Sequence, residues 1–354
     1  AAHRLLMPAF NQAAMRRYHA TMLDVTAELT ERWDARDTVD VSADTTKVTL
    51  ETIGRCAAGY SFGVFDSEAT PPFVEHMVAG LKGADQLGAL QASYLPKALA
   101  RRVERRVRRH GEFMAAVADD VIAARRSDRA SGRTTDAADL LGLMLDSDLP
   151  VDNIRYQLIN FLVAGHETTS GALSFALYYL AREPEVFRRA RAEVDEAWGD
   201  TLRPDFEQTA KLRYVRRVFD ESLRLQPTVP GYYRVAREDT VLAGRYPMRK
   251  GDWALALTAG LHRDPRWGPD PDRFDPDRFE SARVRSRPGG LYKPFGTGER
   301  SCIGRQFALH EAILILGTLI RRYDLIADPD YDLVITERLT LMPSGFRLGL
   351  RRRR

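Results

Sequence analysis

The stretch FGTGERSCIG, Phe295–Gly304, decides the fold, because it places a glycine-rich turn directly before Cys302 and the start of a predicted helix directly after it. Gly296 and Gly298 can adopt backbone angles closed to other residues, which lets the chain lie flat against a planar group, and Gly304 admits close approach of the helix. At a helix N-terminus, free N–H groups and the helix dipole favour an anion, so we expect a lowered pKa for this thiol. A thiolate is a metal ligand, and Cys302 is therefore the predicted metal-binding residue. The alternative is an inert cysteine in a loop.

A second pattern lies on a helix predicted over residues 152–182, where the polar sequence AGHETTS at 164–170 interrupts two apolar runs. A threonine can donate to a preceding carbonyl and bend the helix, and Gly165 removes side-chain bulk, so together they predict a notch for a small ligand. His166 begins a segment similar to the zinc motif HExxH, but Ser170 stands where the second histidine belongs, so we exclude zinc. The alternative is a solvent-exposed polar step on an amphipathic helix.

The spacing of apolar residues predicts a mainly α-helical protein with small β-sheets at its edge, folded as one domain over residues 1–354. Asp152 is the expected N-cap of the longest helix. Helices are predicted over 11–35, 73–92, 97–126, 152–182, 184–198, 214–225 and 303–323. Short strands are predicted at 240–243, at 254–258 and within 332–349, and irregular coil is predicted at 267–279.

Composition and charge exclude several classes of protein. Apolar residues make up 44% of the chain and charged residues 29%, and no stretch approaches the roughly 18 apolar residues of a membrane-spanning helix. The net charge is only +4, so we interpret the basic run Arg101–Arg109 as a solvated helix face and expect no nucleic-acid partner. Docking of an acidic partner is the alternative for this run.

The number of cysteines indicates the cellular compartment, and the first residues indicate where the chain lies in its gene product. Cys56 and Cys302 lie far apart and form no CxxC pair, so we expect a reducing compartment, the cytoplasm, and interpret Cys56 as a buried, inert residue. The chain opens on AAHRLLMPAF, without an initiator Met or a targeting pattern. We therefore expect it to begin inside a longer gene product.

The Cys302 loop resembles the haem-binding motif of the cytochrome P450 family, which Phe295, Gly298, Arg300, Cys302 and Gly304 match without a gap. The resemblance implies a cytochrome P450 fold that lacks its N-terminal portion, with haem b as the cofactor and Cys302 as the axial ligand to the iron. It also implies further contacts to the haem or its propionates, from Phe295, Gly296, Arg300, Gly304, Ala164, Gly165, Arg234 and His3.

The AGHETTS segment is similar to the oxygen-activation motif of the same family. This similarity implies that Thr168 and Glu167 are catalytic, with Glu167 supporting proton delivery. Val229 and Leu339 match positions that line the substrate cavity in the family, and core packing is the alternative for each of them.

Glu221 and Arg224 stand at i, i+3 on the helix predicted at 214–225, a spacing that carries no functional signal by itself. Together with Arg278 they resemble the structural Glu-Arg-Arg network of the family. The resemblance implies that this network anchors the coil leading to the Cys302 loop, so we predict a structural role for all three.

Within the family, the chain most resembles the bacterial fatty-acid hydroxylases that are fused to a diflavin reductase, on segments 158–180, 261–264 and 293–312, whereas GYYR at 231–234 resembles the wider family. This implies subterminal hydroxylation of a long-chain fatty acid with O2, using electrons that pass from NADPH through the FAD and FMN of a reductase partner or fused domain. Alternatives are a monooxygenase of another small apolar substrate supplied by a ferredoxin, a peroxide-driven hydroxylase, and a non-catalytic or incomplete haem-thiolate fragment.

Overall fold

Helices form the body of the molecule in the computed structural model, which describes residues 5–91, 97–132 and 139–353. The mainly α-helical prediction is confirmed, and each predicted helix is present with its ends within four residues of the expected positions. The helices are α1 (Gln12–Asp34), α2 (Val41–Ala58), α3 (Pro72–Gln91), α4 (Lys97–Ala130), α5 (Leu140–Leu145), α6 (Val151–Arg182), α7 (Pro184–Trp198), α8 (Phe206–Ala210), α9 (Arg213–Leu225), α10 (Thr258–Leu261), α11 (Ser281–Ser286) and α12 (Arg305–Arg322).

Short antiparallel strands form small sheets, as predicted. A three-stranded sheet has the order β1-β9-β6, and three hairpin-like pairs join β2 to β5, β3 to β4 and β7 to β8. The strands are β1 (Thr38–Asp40), β2 (Gly231–Val235), β3 (Thr240–Leu242), β4 (Tyr246–Met248), β5 (Trp253–Leu257), β6 (Tyr323–Ala327), β7 (Ile335–Glu337), β8 (Leu341–Pro343) and β9 (Arg347–Arg352). The stretch 267–279 is coil with short 3-10 turns at Pro265–Trp267 and Pro276–Phe279.

The long helix α6 crosses the core, and its second half from Ser170 to Leu177 is completely buried. The prediction that Asp152 caps this helix is wrong. Pro150 occupies the N-cap, because its ring fixes φ near −57° and its carbonyl accepts the N–H groups of Asn153 and Ile154. Asp152 lies inside the first turn instead, where its carboxylate accepts from the Arg155 guanidinium at 2.8 Å.

The sequence did not predict α2, which packs directly against α6. Nearly every side chain of α2 is buried, so the helix has no polar face that would produce an amphipathic pattern. Its threonines also have low helix propensity, yet here their hydroxyls donate to carbonyls one turn back, as Thr49 does to Thr45 at 2.9 Å. The termini carry the signal that the interior lacks: Asp40 caps the first turn, and Gly59 ends the helix with a φ of +60°.

The basic run Arg101–Arg109 lies on α4, where its arginines are exposed while Val103 is buried. This arrangement agrees with the predicted solvated helix face. In the part of the chain that the structure describes, no helix combines the length and the apolar character needed to cross a membrane.

Candidate active site

An apolar cavity of about 340 Å³ lies between α6 and the loop that precedes α12. It brings together the two patterns that the sequence singled out, because Cys302 and Thr168 both line it. Aromatic and aliphatic side chains from separate segments form much of its wall, among them Phe10, Ile53, Phe161, Phe219, Leu223 and Phe307. The volume and the apolar lining are those of a pocket for a small molecule.

The Cys302 loop has the backbone that its glycines predict. Gly296 and Gly298 have φ values of +68° and +75°, in the left-handed region that favours glycine. The loop closes on itself, since the Cys302 N–H donates to the Phe295 carbonyl at 2.9 Å and the Ser301 N–H donates to the Gly298 carbonyl at 3.0 Å. This closure turns the cysteine side chain towards the cavity that it lines.

The expectation of a lowered thiol pKa at Cys302 is wrong for the chain by itself. The α12 helix begins at Arg305 with Gly304 as its N-cap, so Cys302 lies ahead of the first turn. Removal from water by the surrounding protein raises the pKa of the thiol, and the Gly304 N–H and the Arg305 charge only partly oppose this effect. A bound metal cation is the additional charge that would deprotonate such a thiol.

On α6, Thr168 faces the cavity and its hydroxyl donates to the Ala164 carbonyl one turn back, at 2.8 Å. This is the bond that the sequence predicted for the notch. Ala164 and Gly165 also line the cavity, as expected, and the missing side chain of Gly165 has a second cause that the sequence did not show. A Cβ there would lie 2.8 Å from the Ile53 side chain, so the glycine gives room to α2 rather than to a ligand alone.

Glu167 lies next to this notch but points into the protein. Its side chain is completely buried, and it is not among the described residues that line the cavity. Burial raises the pKa of the carboxyl, while the Arg338 charge partly opposes the rise. The structure therefore places Thr168 at the cavity and Glu167 behind the cavity wall.

Two arginines predicted to contact propionates lie at the cavity. Arg234 and Arg300 both line it, and neither forms an ion pair with a carboxylate in the described ranges 5–91, 97–132 and 139–353. The Arg234 guanidinium lies 4.4 Å from the Tyr232 ring centroid and donates to the Tyr233 carbonyl at 3.0 Å. His3, the third predicted partner, lies outside the described residues.

The two predicted substrate-cavity residues have different positions. Val229 lines the cavity, with a relative exposure of 41%. Leu339 is 47% exposed and does not belong to the cavity lining that the structure describes, contrary to the expectation. It lies in the turn that joins β7 to β8, where the chain reverses and its side chain faces solvent.

Glu221, Arg224 and Arg278 come together in the interior. The Arg224 guanidinium makes two hydrogen bonds of 2.7 Å to the Glu221 carboxylate and also donates to the carbonyls of His262, Pro271 and Arg273. Arg278 Nε lies 3.6 Å from Glu221 Oε1, and the rest of its guanidinium donates to the carbonyls of Trp267, Pro269 and Asp270. The network therefore ties α9 to the coil at 262–278 that leads towards the Cys302 loop.

His262 extends this network, and sequence reasoning assigned it no role. Its ring Nδ1 lies 3.2 Å from the Arg224 carbonyl, and its Nε2 accepts the Lys293 N–H at 3.0 Å. The ring thus bridges α9 to the segment just before the Cys302 loop. A histidine at the C-cap of the short helix α10 gave no signal for this role, because the bridge joins residues far apart in the chain.

Comparison with known proteins identifies relatives along the whole chain. The cytochrome P450 family model matches residues 1–349. The chain is 40% identical over 364 residues to bifunctional cytochrome P450/NADPH–P450 reductase 2 of Bacillus subtilis, covering 100% of this chain and 34% of that protein. It is 41% identical over 361 residues to the bifunctional cytochrome P450/NADPH–P450 reductase of Bacillus cereus, covering 99% and 33% respectively.

A fungal protein is also similar. The chain is 37% identical over 358 residues to a self-sufficient cytochrome P450 monooxygenase of Phanerodontia chrysosporium, covering 98% of this chain and 33% of that protein. These matches confirm the resemblance to reductase-fused cytochromes P450. The chain spans about a third of the length of the curated relatives it matches.

Proposed function

Because the chain belongs to the cytochrome P450 family, we propose that residues 1–354 are the haem domain of a monooxygenase, which inserts one oxygen atom of O2 into a C–H bond of an apolar substrate. The observation that carries the proposal is the meeting of the Cys302 thiol and the Thr168 hydroxyl at one apolar cavity. Neither group alone specifies this chemistry, but together they supply a metal ligand and a polar group beside the reaction space.

The donor groups at the cavity fit haem b. An anionic sulfur suits the iron, and two guanidinium groups without carboxylate partners among the described residues suit the two propionates. We assign Cys302 as the axial ligand and Arg234 and Arg300 as propionate partners. When bound, the haem supplies the iron at which O2 is activated. The walls of the haem site are assigned to Ala164, Gly165, Phe295, Gly296 and Gly304.

Thr168 has the position of a group that orients water or a small polar ligand. Its hydroxyl hydrogen is donated to the Ala164 carbonyl, so its oxygen lone pairs remain free to accept a hydrogen bond from the cavity side. Glu167 is the proton source that we assign to this helix. Its burial favours the protonated acid, which is the form that can give a proton up.

We assign a long-chain fatty acid as the substrate, hydroxylated near its methyl end. The apolar wall, with Val229 as part of it, suits an alkyl chain. Another small apolar molecule would fit the same wall, and product analysis decides between them. We expect the protein to turn over a long-chain fatty acid faster than an apolar compound that lacks a carboxylate.

The electron donor assigned is NADPH, acting through a flavoprotein reductase that carries FAD and FMN. Two Bacillus relatives are named as bifunctional proteins that combine a cytochrome P450 with an NADPH–P450 reductase, which supports this donor over a ferredoxin. We place the protein in the cytoplasm, which agrees with two cysteines that are both free.

The central experiment is the absorption spectrum of the reduced, haem-loaded protein under carbon monoxide. We expect the red-shifted band of thiolate ligation, and we expect Cys302→Ala to abolish it. Cys56→Ala is the matched control, because Cys56 is buried away from the cavity and the band should survive its removal. A Cys302→Ala protein with an unchanged spectrum would overturn the assignment. Product formed with NADPH and added reductase then separates an enzyme from a non-catalytic haem protein.

A further inference from the structure

His166 and Glu167 are neighbours on α6 whose polar atoms remain unpaired in the interior. Both side chains are completely buried, and within the described ranges neither His166 Nε2 nor either carboxyl oxygen of Glu167 has a hydrogen-bond partner. The closest approach between the two groups, His166 Nε2 to Glu167 Oε2, is 3.8 Å. Leaving a buried polar group unpaired costs about 1–3 kcal/mol, so unpaired atoms on both residues need an explanation.

The tautomer of His166 follows from its one hydrogen bond. Its Nδ1 lies 2.6 Å from the Leu162 carbonyl, and because a carbonyl can only accept, Nδ1 carries the hydrogen. Burial lowers the pKa of His166 to about 4, since the Leu162 carbonyl only partly offsets the loss of water. The ring is therefore neutral at pH 7, and Nε2 presents a lone pair that needs a donor.

Glu167 is the donor that the surroundings offer. A protonated carboxyl has one O–H to donate, and burial favours that form of Glu167. Two hydroxyls nearby have backbone carbonyls as acceptors: Thr49 lies 2.9 Å from the Thr45 carbonyl and 3.1 Å from the His166 carbonyl, and Thr340 donates to the Glu167 carbonyl at 3.3 Å. The Phe73 ring covers the imidazole, with its centroid 6.4 Å from that of the histidine.

One charged side chain, Arg338, acts on both His166 and Glu167. Arg338, in the turn between β7 and β8, is the described charged group whose field acts on both residues, and it lowers both pKa values. It opposes protonation of either group without reaching hydrogen-bond distance of them. Its side chain is half-buried, so it can be changed without opening the core.

We propose that His166 is a positioning residue, whose Nε2 accepts a hydrogen bond from the acid O–H of Glu167 and holds that protonated side chain behind the cavity wall next to Thr168. The inference rests on the proposed function, because it deepens the role of Glu167 as a proton source. The bond requires the carboxyl to rotate so that the 3.8 Å between Nε2 and Oε2 shortens to hydrogen-bond distance.

The proton balance is simple. Glu167 gives one proton to a water or small polar ligand held at Thr168 and becomes a carboxylate, while His166 keeps its Nδ1 hydrogen throughout. The carboxylate no longer has a proton to donate to Nε2, so nothing retains it in the pair. Protonation from solvent restores the O–H and returns the side chain to His166.

The first experiment compares His166→Asn with His166→Gln in the haem-loaded, full-length protein supplied with reductase. The Asn amide can still donate to the Leu162 carbonyl but places nothing at the position of Nε2, whereas the Gln amide oxygen reaches that position. We expect His166→Asn to lower product formed per NADPH by about two- to tenfold, the range for one lost hydrogen bond, with a matching rise in peroxide. His166→Gln should retain most of the coupling. Equal coupling in the wild type and His166→Asn would overturn the proposal.

The second experiment does not depend on turnover. Infrared spectroscopy should show the C=O stretch of a protonated carboxylic acid, assigned to Glu167 by its loss in Glu167→Gln. His166→Asn should move this band to the position of an acid without an acceptor, and His166→Gln should move it less. Arg338→Gln should preserve the band to higher pH, because removing the positive charge raises the pKa of Glu167. A Glu167 band that His166→Asn leaves in place would contradict the pairing.

The two experiments separate the two proposals. If the carbon monoxide spectrum lacks the thiolate band, the monooxygenase proposal fails, while the infrared comparison still decides whether His166 holds Glu167. If the thiolate band and the product are present but the Glu167 band ignores residue 166, the positioning role fails and the monooxygenase proposal stands.

Discussion

His262 and His166 are both completely buried, but their second ring nitrogens differ in hydrogen bonding. Burial lowers the pKa of both to about 4, and each has its Nδ1 near a backbone carbonyl. Nε2 of His262 accepts the Lys293 N–H at 3.0 Å, whereas Nε2 of His166 has no partner in the described part of the chain. A satisfied buried group stabilises the fold, and an unsatisfied one marks a place where function has been favoured over stability.

The same contrast extends to the carboxylates beside these histidines. Glu221 accepts from Arg224 twice and from the Asp275 N–H at 2.8 Å, so its charge is held by several donors. Glu167 is buried as deeply but has no side-chain hydrogen bond among the described residues. One carboxylate is therefore held by donors of the scaffold and the other is not, so we expect the second to be the one that changes its protonation during turnover.

The largest expected effect comes from Arg224→Met, which removes the buried hydrogen bonds between Arg224 and Glu221. This change leaves the Glu221 carboxylate buried beside a neutral side chain, and we expect a loss of about 3–5 kcal/mol in the free energy of unfolding, measured with urea. Arg188→Met is the matched control, because Arg188 pairs with Glu185 at the same i, i+3 spacing but with both side chains about 70% exposed. That exposed pair should contribute far less, because water and salt screen its charges. Equal losses in the two variants would contradict the comparison.

An intermediate effect is expected from pH. A histidine whose folded pKa of about 4 lies below its unfolded value of 6.5 stabilises the protein fully above pH 6.5 and loses that contribution as pH falls towards 4. For His262 the loss amounts to about 3 kcal/mol over this window. Both His262→Asn and His166→Asn should therefore reduce, by up to one, the number of protons taken up on unfolding between pH 6.5 and 4. The unfolding free energy should accordingly decline less steeply over that range.

The two variants should differ at pH 7, and this difference sharpens the comparison. His262→Asn leaves the Lys293 N–H without its acceptor and should lose about 1–3 kcal/mol, whereas His166→Asn removes only the proposed bond to Glu167, which spans 3.8 Å in the structure, and should lose less. Urea unfolding at pH 7.0, 5.5 and 4.5 measures both quantities. A His262→Asn protein as stable at pH 7 as His166→Asn would show that the bond to Lys293 N–H contributes nothing.

The sequence predicted the Cys302 loop and the Glu221 network better than the unpaired atoms of His166 and Glu167. Left-handed glycines and the Cys302 turn are local patterns, so they can be recognised one segment at a time, whereas the Glu221–Arg224 pair was predicted only through the resemblance to the family. The helix α2 was missed because its buried face extends all the way round, and the close approach of Ile53 to Gly165 was missed with it. His166 Nε2 and the carboxyl oxygens of Glu167 are unpaired because no donor or acceptor from another described segment lies close to them. A local sequence pattern contains no information about that absence.

The smallest effect, and the one of opposite sign, is expected from Glu167→Met. Methionine has a similar volume and no group that needs a partner. Removing a buried carboxyl should outweigh the loss of its one proposed bond, to His166, which spans 3.8 Å in the structure, so we expect the fold to be stabilised by up to about 1 kcal/mol. Glu185→Met is the control for removing a negative charge from a helix, because Glu185 is largely exposed and its replacement should leave stability nearly unchanged. The same Glu167→Met protein should form less product per NADPH, because its proton source is gone. A destabilised Glu167→Met protein would show that this carboxyl is part of the scaffold, as Glu221 is, and that the contrast between the two sites does not hold.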